Sequence, residues 1–363
     1  MAVRLTLAEV RAHRVATHLG GDDVLDTGIQ DTPPGTTAVL ALAARGLSIR
    51  DGLVLVHAAR GAMHLHRAAD VAALTAALRP DDAADLRKQQ FGPFFASLDR
   101  PIGAALDEVA DAMAAVMSDG VRRGKGALST AVSAAVDQRL RPWCPGCGAS
   151  HVDDALFRLA SLPAGLRLVP NGDGSADFVA GPPPAPADRV GNGPTGLAAG
   201  PPLTEVDRQA ARRELVRRFL RYAGPTDRDG LAAWLGLSPA AARRWWDGLA
   251  DVVPVEVDGR RLFLHPDDVE AARAAPRAHG VHLLPPHDPV LELSDRRLLV
   301  PDPAHRKQVW RAAANPGVVL ADGAVAGIWR RRKGAITVTP FGRAPGRRTL
   351  VEAAGEEVVV AES

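Results

Sequence analysis

Two cysteines and a histidine carry the clearest metal-ligand pattern in the chain. Cys144 and Cys147 are separated by two residues, and His151 follows shortly after them. Thiolate sulfur and imidazole nitrogen are common ligands of Zn²⁺, so this spacing could hold an ion through three bonds. A structural zinc site takes four ligands, and no fourth is evident nearby. The alternative is a turn that buries two thiols. We predict no cofactor and keep the three residues as metal candidates.

Arginine-rich segments are candidate phosphate-binding sites, because one guanidinium group can donate two hydrogen bonds to the oxygens of a phosphate. Arg243 and Arg244 precede two tryptophans on a predicted helix, and residues 330–333 place four positive charges where a predicted strand ends. Each segment has an alternative, which is a solvated helix face for the first and a solvated hairpin tip for the second. The candidate DNA contacts are Arg60, His66, Arg243, Arg244, Arg260, Arg330, Arg331, Arg332 and Lys333.

Three short helices and a hairpin would position the first arginine pair. Helical spacing covers residues 212–222, 226–235 and 238–249, and residues 253–264 read as two strands joined at Asp258-Gly259. Gly236 supplies a turn, and Ser238 can cap the third helix with Pro239 at its first position. This order is typical of a winged helix-turn-helix, in which the third helix enters a DNA groove. One of the two tryptophans is expected in the core.

Length and composition set outer bounds. The 363 residues allow two or three domains, and a net charge of +2 is too small to indicate a nucleic-acid partner by itself. Two closely spaced cysteines do not suit a disulfide scaffold and fit a reducing compartment. The sequence shows neither a signal peptide nor a run as long as a membrane span. We therefore expect a monomer in the cytoplasm, associated with the nucleoid.

The chain is predicted to have an α+β fold of tandem winged-helix domains with a β-rich C-terminal region. Helices are expected at residues 7–19 and 36–45, followed by a hairpin of residues 53–57 and 62–66, and further helices at 102–117 and 126–140. The predicted units are a first winged-helix-like domain (1–85), a second (86–170), a Gly/Pro-rich linker (171–203), a third winged helix (204–275) and the β-rich region (276–363).

Several segments together resemble the bacterial winged-helix DNA glycosylases typified by AlkZ and YcaQ. Residues 60–65 are similar to the family's Arg-Gly-Thr-x-His hairpin signature, and residues 213–220 with 224–226 are similar to its third winged helix. Residues 283–289 and 319–330 resemble its C-terminal signatures. The resemblance spans nearly the whole chain in order. It implies a DNA-binding concavity built from winged helices, with excision of bulky or crosslinked alkylated purines from double-stranded DNA.

The resemblance also implies a catalytic motif. The family carries Gln-x-Gln or Gln-x-Asp after its first helix, thought to position the hydrolytic water, and residues 28–32 (Gly-Ile-Gln-Asp-Thr) stand at the corresponding place. If Gln30 matches the second polar position, the first is Gly28, and if Gln30 matches the first, the third position is Thr32. Asp31 could still serve, because a carboxylate and an oriented water suffice near an oxocarbenium-like sugar. The candidate catalytic residues are Gln30, Asp31, Thr32 and His64.

Alternatives remain for these residues and for the function. Asp31 could instead cap the entry into the next helix through the turn at residues 33–34, and His64 could be a hydrogen-bonded structural residue. We predict a DNA glycosylase. The alternative is a non-catalytic protein that binds DNA or a lesion, for protection or for regulation of transcription.

Overall fold

The computed structural model describes residues 3–181, 205–311, 314–332 and 334–361, and it has an α+β fold. The described α-helices are α1 (Leu7–Leu19), α2 (Thr37–Ala43), α3 (Val71–Leu78), α4 (Lys88–Phe91), α5 (Ile102–Val116), α6 (Lys125–Ala135), α7 (Asp154–Ser161), α8 (Glu205–Ala223), α9 (Arg228–Leu235), α10 (Pro239–Asp247), α11 (Asp268–Ala274), α12 (Arg296–Leu299), α13 (Pro303–Val309) and α14 (Arg347–Ala354).

The described strands form four sheets, whose orders are β2-β4-β3-β8-β9-β5, β1-β10-β11, β12-β13-β14-β15-β16 and β6-β7. Their bounds are β1 (Val3–Leu5), β2 (Ile29–Gln30), β3 (Leu53–His57), β4 (Met63–Arg67), β5 (Arg123–Gly124), β6 (Trp143–Cys144), β7 (Ala149–Ser150), β8 (Leu166–Pro170), β9 (Ala176–Ala180), β10 (Val253–Val257), β11 (Arg260–Leu264), β12 (Val281–Leu284), β13 (Gly317–Ala321), β14 (Ala324–Arg332), β15 (Ala335–Pro340) and β16 (Val358–Val360).

The six-stranded sheet includes part of the predicted linker. Strand β9 lies inside residues 171–203, pairs antiparallel with β8 and buries Phe178 against Phe157. Residues 176–180 are therefore an ordered element within that segment, and the linker boundaries stay a prediction. Residues 182–204, the remainder of that prediction, lie outside the described residues.

Helices α8, α9 and α10 and the β10–β11 hairpin follow one another in the predicted order. Gly236 ends α9 in the left-handed conformation, and the Ser238 side chain caps α10 with Pro239 at the first position, both as predicted. Asp258 and Gly259 have positive φ angles of 50° and 74°, the geometry of a tight hairpin turn. Trp245 and Trp246 are both buried, so the expectation of one core tryptophan is wrong.

The core crosses the predicted domain boundaries. Val54 and Leu74, from the first predicted domain, pack in one cluster with Phe219 and Trp234, from the third. In addition, β1 pairs in parallel with β10, so the first strand of the chain completes the sheet of the later hairpin. The boundaries at residues 85 and 204 therefore do not separate independent cores, and the division into domains stays a prediction.

The predicted β-rich region contains the five-stranded sheet β12-β13-β14-β15-β16, and Asp322 and Gly323 form the turn between β13 and β14. It also contains helices α12, α13 and α14, which the description of a β-rich tail omits.

Within the described part of the chain, no helix is both long enough and apolar enough to cross a membrane.

Candidate active site and basic cleft

A small cavity lies where β2 and β4 meet helices α8 and α9 of the predicted third winged helix. Its volume of about 10 Å³ is near the minimum that one water molecule needs. The residues that could do chemistry there are Gln30, Arg60, His64 and Glu292. We call this pocket the Arg60 cavity. The rest of its lining is Thr27, Gly28, Phe219, Tyr222, Trp234, Pro289 and Leu293.

Arg60 joins the polar groups of this cavity. One nitrogen, Nη2, donates to Gln30 Oε1 at 2.8 Å and to Glu292 Oε2 at 2.7 Å, while Nη1 donates to the Trp234 carbonyl. Because both oxygens bind the same nitrogen, an amide and a carboxylate are held side by side. Only 10% of the Arg60 side chain is exposed, and its guanidinium is paired inside the protein, so the phosphate contact of Arg60 stays a prediction that this geometry does not favour.

Glu292 is the functional candidate that the sequence interpretation missed. Burial alone would raise the pKa of its carboxyl, but the hydrogen bond from His287 Nδ1 at 3.2 Å and the positive charge of Arg60 lower that pKa below its ordinary value. The carboxylate is therefore ionised at neutral pH. Residue 292 stands three positions beyond the signature at residues 283–289. A carboxylate close to that signature was the available signal, but its contact with Arg60 is nonlocal.

His64 lies in the cavity wall opposite Gln30, because the two residues are direct partners in the β2–β4 pairing. Its side chain is buried, with Nδ1 within 3.0 Å of the Ala62 carbonyl. Burial, followed by the charge of Arg60, moves the pKa of His64 well below its ordinary value. A neutral imidazole can position a hydrogen-bonding group but does not supply positive charge at neutral pH.

Asp31 does not line the Arg60 cavity. Its buried carboxylate accepts hydrogen bonds from the backbone N–H groups of Gly35, Thr36 and Ala38, at 2.6, 3.2 and 2.9 Å, and from the Thr37 hydroxyl at 3.2 Å. Gly35 and Thr36 directly precede α2 and Thr37 and Ala38 begin it, so these N–H groups belong to the entry of the helix, where they have no partner within it. The arrangement is the capping alternative offered for Asp31.

Thr32 likewise serves the entry to α2. Its backbone N–H donates to Thr37 Oγ1 at 2.7 Å, and its own hydroxyl accepts a longer hydrogen bond of 3.4 Å from Gln30 Nε2. Of the four residues predicted as catalytic, Gln30 and His64 thus meet at the cavity, whereas Asp31 and Thr32 are bound to the neighbouring turn.

His66, a predicted DNA contact, is only 2% exposed, so that contact stays a prediction that its burial does not favour. Its ring packs so closely on Gly28 that a Cβ atom at position 28 would lie 2.2 Å from His66 Cε1, and Gly28 has a φ of +79°. Burial lowers the pKa of His66 to about 4, so the ring is neutral at physiological pH. Position 28 cannot hold a glutamine while His66 fills this space.

The remaining predicted DNA contacts differ in exposure and in the partners that their side chains already have within the protein. Arg243 is exposed on α10, whereas Arg244 is paired with the buried carboxylate of Asp85 and Arg260 with Asp227 at 3.2 Å. In the tail, Arg330 donates to the Ala314 carbonyl at 3.2 Å and Arg331 binds Glu356 through two hydrogen bonds. The Arg332 side chain and Lys333 lie outside the described residues.

A larger basic cleft was not found from the sequence. It has a volume of about 920 Å³ and lies between the β10–β11 turn, α12 and α13. Its signals in the sequence are two pairs of adjacent basic residues, which are distant from the hairpin along the chain. Five cations and two carboxylates line it: Arg260, Arg296, Arg297, Arg306 and Lys307, with Asp258 and Asp295. Asp295 is neutralised by Arg14 at 2.8 Å.

The metal candidates do come together. The ligand atoms of Cys144, Cys147 and His151 all lie within 4.8 Å of one another. Cys147 is exposed and Cys144 is partly exposed, so the alternative of a turn that buries both thiols is wrong.

Comparison with known proteins assigns the family. Residues 38–359 match the model of the DNA glycosylase AlkZ-like family, a match that begins just after the candidate motif at residues 28–32. No curated protein matches the chain. The solved structure of Streptomyces sahachiroi DNA glycosylase AlkZ matches with a TM-score of 0.69 and 21% identity, over 99% of this chain and 100% of that chain, which shows a shared fold. The chain therefore belongs to the AlkZ-like family and is a DNA glycosylase, an enzyme that hydrolyses N-glycosyl bonds in DNA.

Proposed function

We propose that this glycosylase removes bulky or crosslinked N-alkylated purines from double-stranded DNA, with Gln30 and Glu292 as the catalytic pair. The observation that carries the proposal is the single Arg60 nitrogen that binds both side chains in one cavity. Water-mediated glycosidic cleavage needs a carboxylate beside the sugar and an oriented water, and Glu292 and Gln30 are placed to supply these two functions. Glu292 would then supply a carboxylate in the place of the one that the Gln-x-Asp form of the family motif carries.

The chemistry follows from the charge on the substrate. An N7-alkylated purine is cationic, so the C1′–N9 bond breaks with its electron pair moving onto the base, which leaves as a neutral molecule. The sugar develops oxocarbenium character, which the ionised Glu292 stabilises by its charge. Water then adds to C1′, and its proton passes to Glu292 or to solvent. Gln30 holds the water beside that carboxylate.

The surrounding residues keep the pair in position. Arg60 orients both side chains, and His287 fixes the second oxygen of Glu292. A quarter of the Glu292 side chain is exposed, so a deoxyribose can reach it from the surface. The cavity is too small for a purine ring. A damaged base therefore stays outside it, and its bulk does not limit the reaction, which supports large or crosslinked lesions as substrates.

The duplex is proposed to lie in the basic cleft, with Arg243 on α10 as a further contact. The cleft and the cavity are connected by one short segment, because Glu292 and Leu293 line the cavity while Ser294 to Arg297 line the cleft. Phosphates bound in the cleft would thereby be fixed relative to the catalytic pair. In this arrangement α8, α9, α10 and the hairpin act as a winged helix within a tandem array, and the enzyme works as a cytoplasmic, nucleoid-associated monomer.

Single-turnover excision tests the proposal on duplexes that carry N7-alkylguanine monoadducts or interstrand crosslinks. Gln30→Ala and Glu292→Gln should each slow base release by roughly 100-fold or more, which is the usual contribution of such groups, with duplex affinity unchanged. Glu270→Gln is the matched control, because Glu270 is 84% exposed on α11, and it should keep the wild-type rate.

Two outcomes would contradict this assignment. Wild-type release rates in Glu292→Gln would exclude Glu292 from the chemistry. Tight lesion binding by the wild-type chain without release on any of these duplexes would favour the alternative of a non-catalytic lesion-binding protein. The displaced motif and the capping role of Asp31 are the observations behind that alternative.

A further inference from the structure

The hairpin β6–β7 brings three metal-binding side chains to one point, well away in sequence from the catalytic pair. The ligand atoms of Cys144, Cys147 and His151 are mutually within 4.8 Å. Two ligands of a tetrahedral zinc ion, each about 2.0–2.3 Å from it, lie roughly 3.5–3.8 Å apart. Small rotations of the side chains therefore suffice to close the site around an ion.

The backbone of the turn is arranged for such a site. The N–H groups of Cys147 and Gly148 both donate to the Cys144 carbonyl, at 3.2 and 2.9 Å, and Gly148 has a φ of +61°. This tight turn places both sulfur atoms on the same side. Glycine at position 148 allows the chain to leave the turn without strain.

His151 is oriented by a second hydrogen bond. Its Nδ1 lies 2.7 Å from the Val152 carbonyl, so Nδ1 carries the proton and Nε2 has a free lone pair. Metal-ligating histidines commonly donate their other ring nitrogen to a backbone carbonyl in this way.

Hydrophobic packing contributes little to the stability of this hairpin. None of residues 141–150, all of which the structure describes, is buried, and Trp143 is 64% exposed. The two strands have two residues each and pair with no other described strand. A hairpin of this size is at best marginally stable in water. A cross-link among its side chains would provide the missing stabilisation.

We propose that Cys144, Cys147 and His151 bind one Zn²⁺ ion, with solvent at the fourth position. Binding exchanges the two thiol protons for the ion and involves no redox step. The ion holds the hairpin ahead of α7, whose Arg158 Cβ lies 3.6 Å from where a Cβ would stand on Gly61, next to Arg60. With solvent as its fourth ligand, the site is more open than a closed four-ligand site; its proposed role is to hold the hairpin, independently of the proposed catalytic pair.

Thiol protection tests the site in the full-length protein without any variant. Cys144 and Cys147 are the only cysteines in the chain, so a thiol reagent reports on this cluster alone. We expect about one zinc per chain in protein purified under reducing conditions, and chelator treatment should expose two reactive thiols that added Zn²⁺ protects again. Co²⁺ in place of zinc should give a sulfur-to-metal charge-transfer band.

Variants then assign the ligands. Cys147→Ser should abolish stoichiometric metal binding, and His151→Gln should weaken Zn²⁺ at least roughly tenfold. The exposed His279 supplies the matched control, His279→Gln, which should bind as the wild type does. Thiols that react equally fast with and without Zn²⁺, or a Cys144–Cys147 disulfide in protein kept under reducing conditions, would overturn the proposal.

Discussion

Asp31 accepts four hydrogen bonds from the residues that begin α2, which makes it a capping residue. Asp31→Asn replaces one acceptor oxygen by an NH₂ group that faces N–H donors. We expect a loss of about 1–3 kcal/mol in the free energy of unfolding, because buried donors lose their partner. Thermal denaturation measures the loss. The excision rate per folded molecule should stay near that of the wild type. An excision defect with unchanged stability would place Asp31 in the chemistry instead.

Gly28 explains why the family motif is not present in its usual form. The sequence allowed two registers, in which either Gly28 or Thr32 replaces a polar member of the motif. In the register that places Gly28 in the motif, no polar side chain fits at position 28, because the His66 ring occupies the space that it would need. No local pattern around residue 28 indicates this contact, since His66 is 38 residues away in the chain.

Gly28→Gln, which would restore the family's residue type, should therefore fail to restore the motif. A Cβ at position 28 would clash with the His66 ring, and the backbone there has a positive φ that disfavours any side chain. We therefore expect the free energy of unfolding to fall by roughly 2 kcal/mol or more. Gly126→Gln is the matched control, because nothing lies within 4 Å of a Cβ there. Denaturant unfolding compares them. Equal stability of the two variants would show that His66 moves aside easily.

At the scale of elements, helices α12 and α13 bring the basic cleft together. Arg297 and Lys307 are exposed in its lining. Reversing both charges, Arg297→Glu with Lys307→Glu, should weaken duplex binding and reduce the slope of log affinity against log salt by about two. Binding titrations at several salt concentrations measure both quantities.

A surface pair elsewhere provides the control for this experiment. Arg347 and Arg348 on α14 are 70% and 92% exposed and carry the same charge. The double reversal Arg347→Glu with Arg348→Glu should leave the salt slope near the wild-type value. If both double variants lose affinity equally, net charge rather than the cleft determines binding.

Local elements could be predicted from the sequence to within a few residues, because their signals are local. Apolar periodicity, the Ser238 cap and the Asp258-Gly259 turn each indicate a structure within a short segment. Pairings between distant segments could not be predicted in this way. The parallel contact of β1 with β10, the insertion of β9 and the meeting of Arg60 with Glu292 depend on packing of the whole chain.

At the scale of the whole molecule, one core combines the beginning and the third quarter of the chain with Leu293, which is next to Glu292 in the last segment. The active-site proposal depends on this union, because Gln30 and Arg60 come from the first segment and Glu292 from the last. Conditions that weaken the packing between these segments should therefore reduce stability and activity together.

Low pH is such a condition, because the buried histidines are neutral in the folded protein and take up protons when it unfolds. Burial, followed by the charges of Arg158 and Lys125, lowers the pKa of His57 from its ordinary value of 6.5 to about 3. The unfolded chain then binds more protons than the folded one between these two values. Because of His57, the free energy of unfolding should fall by about 3 kcal/mol as the pH is lowered from 7 to 4. None of this loss should occur above pH 7.

His57→Asn isolates this contribution, since its amide can replace Nδ1 in the 2.8 Å contact with Ser161 Oγ but does not titrate. The variant loses ring contacts and starts from a lower stability, so the relevant quantity is the change in unfolding free energy with pH. We expect a shallower decline below pH 6.5 in His57→Asn than in the wild type, and a wild-type decline in His279→Gln. Parallel curves for all three proteins would mean that His57 is protonated in the folded state, which would require water to reach the interface between α7 and β3.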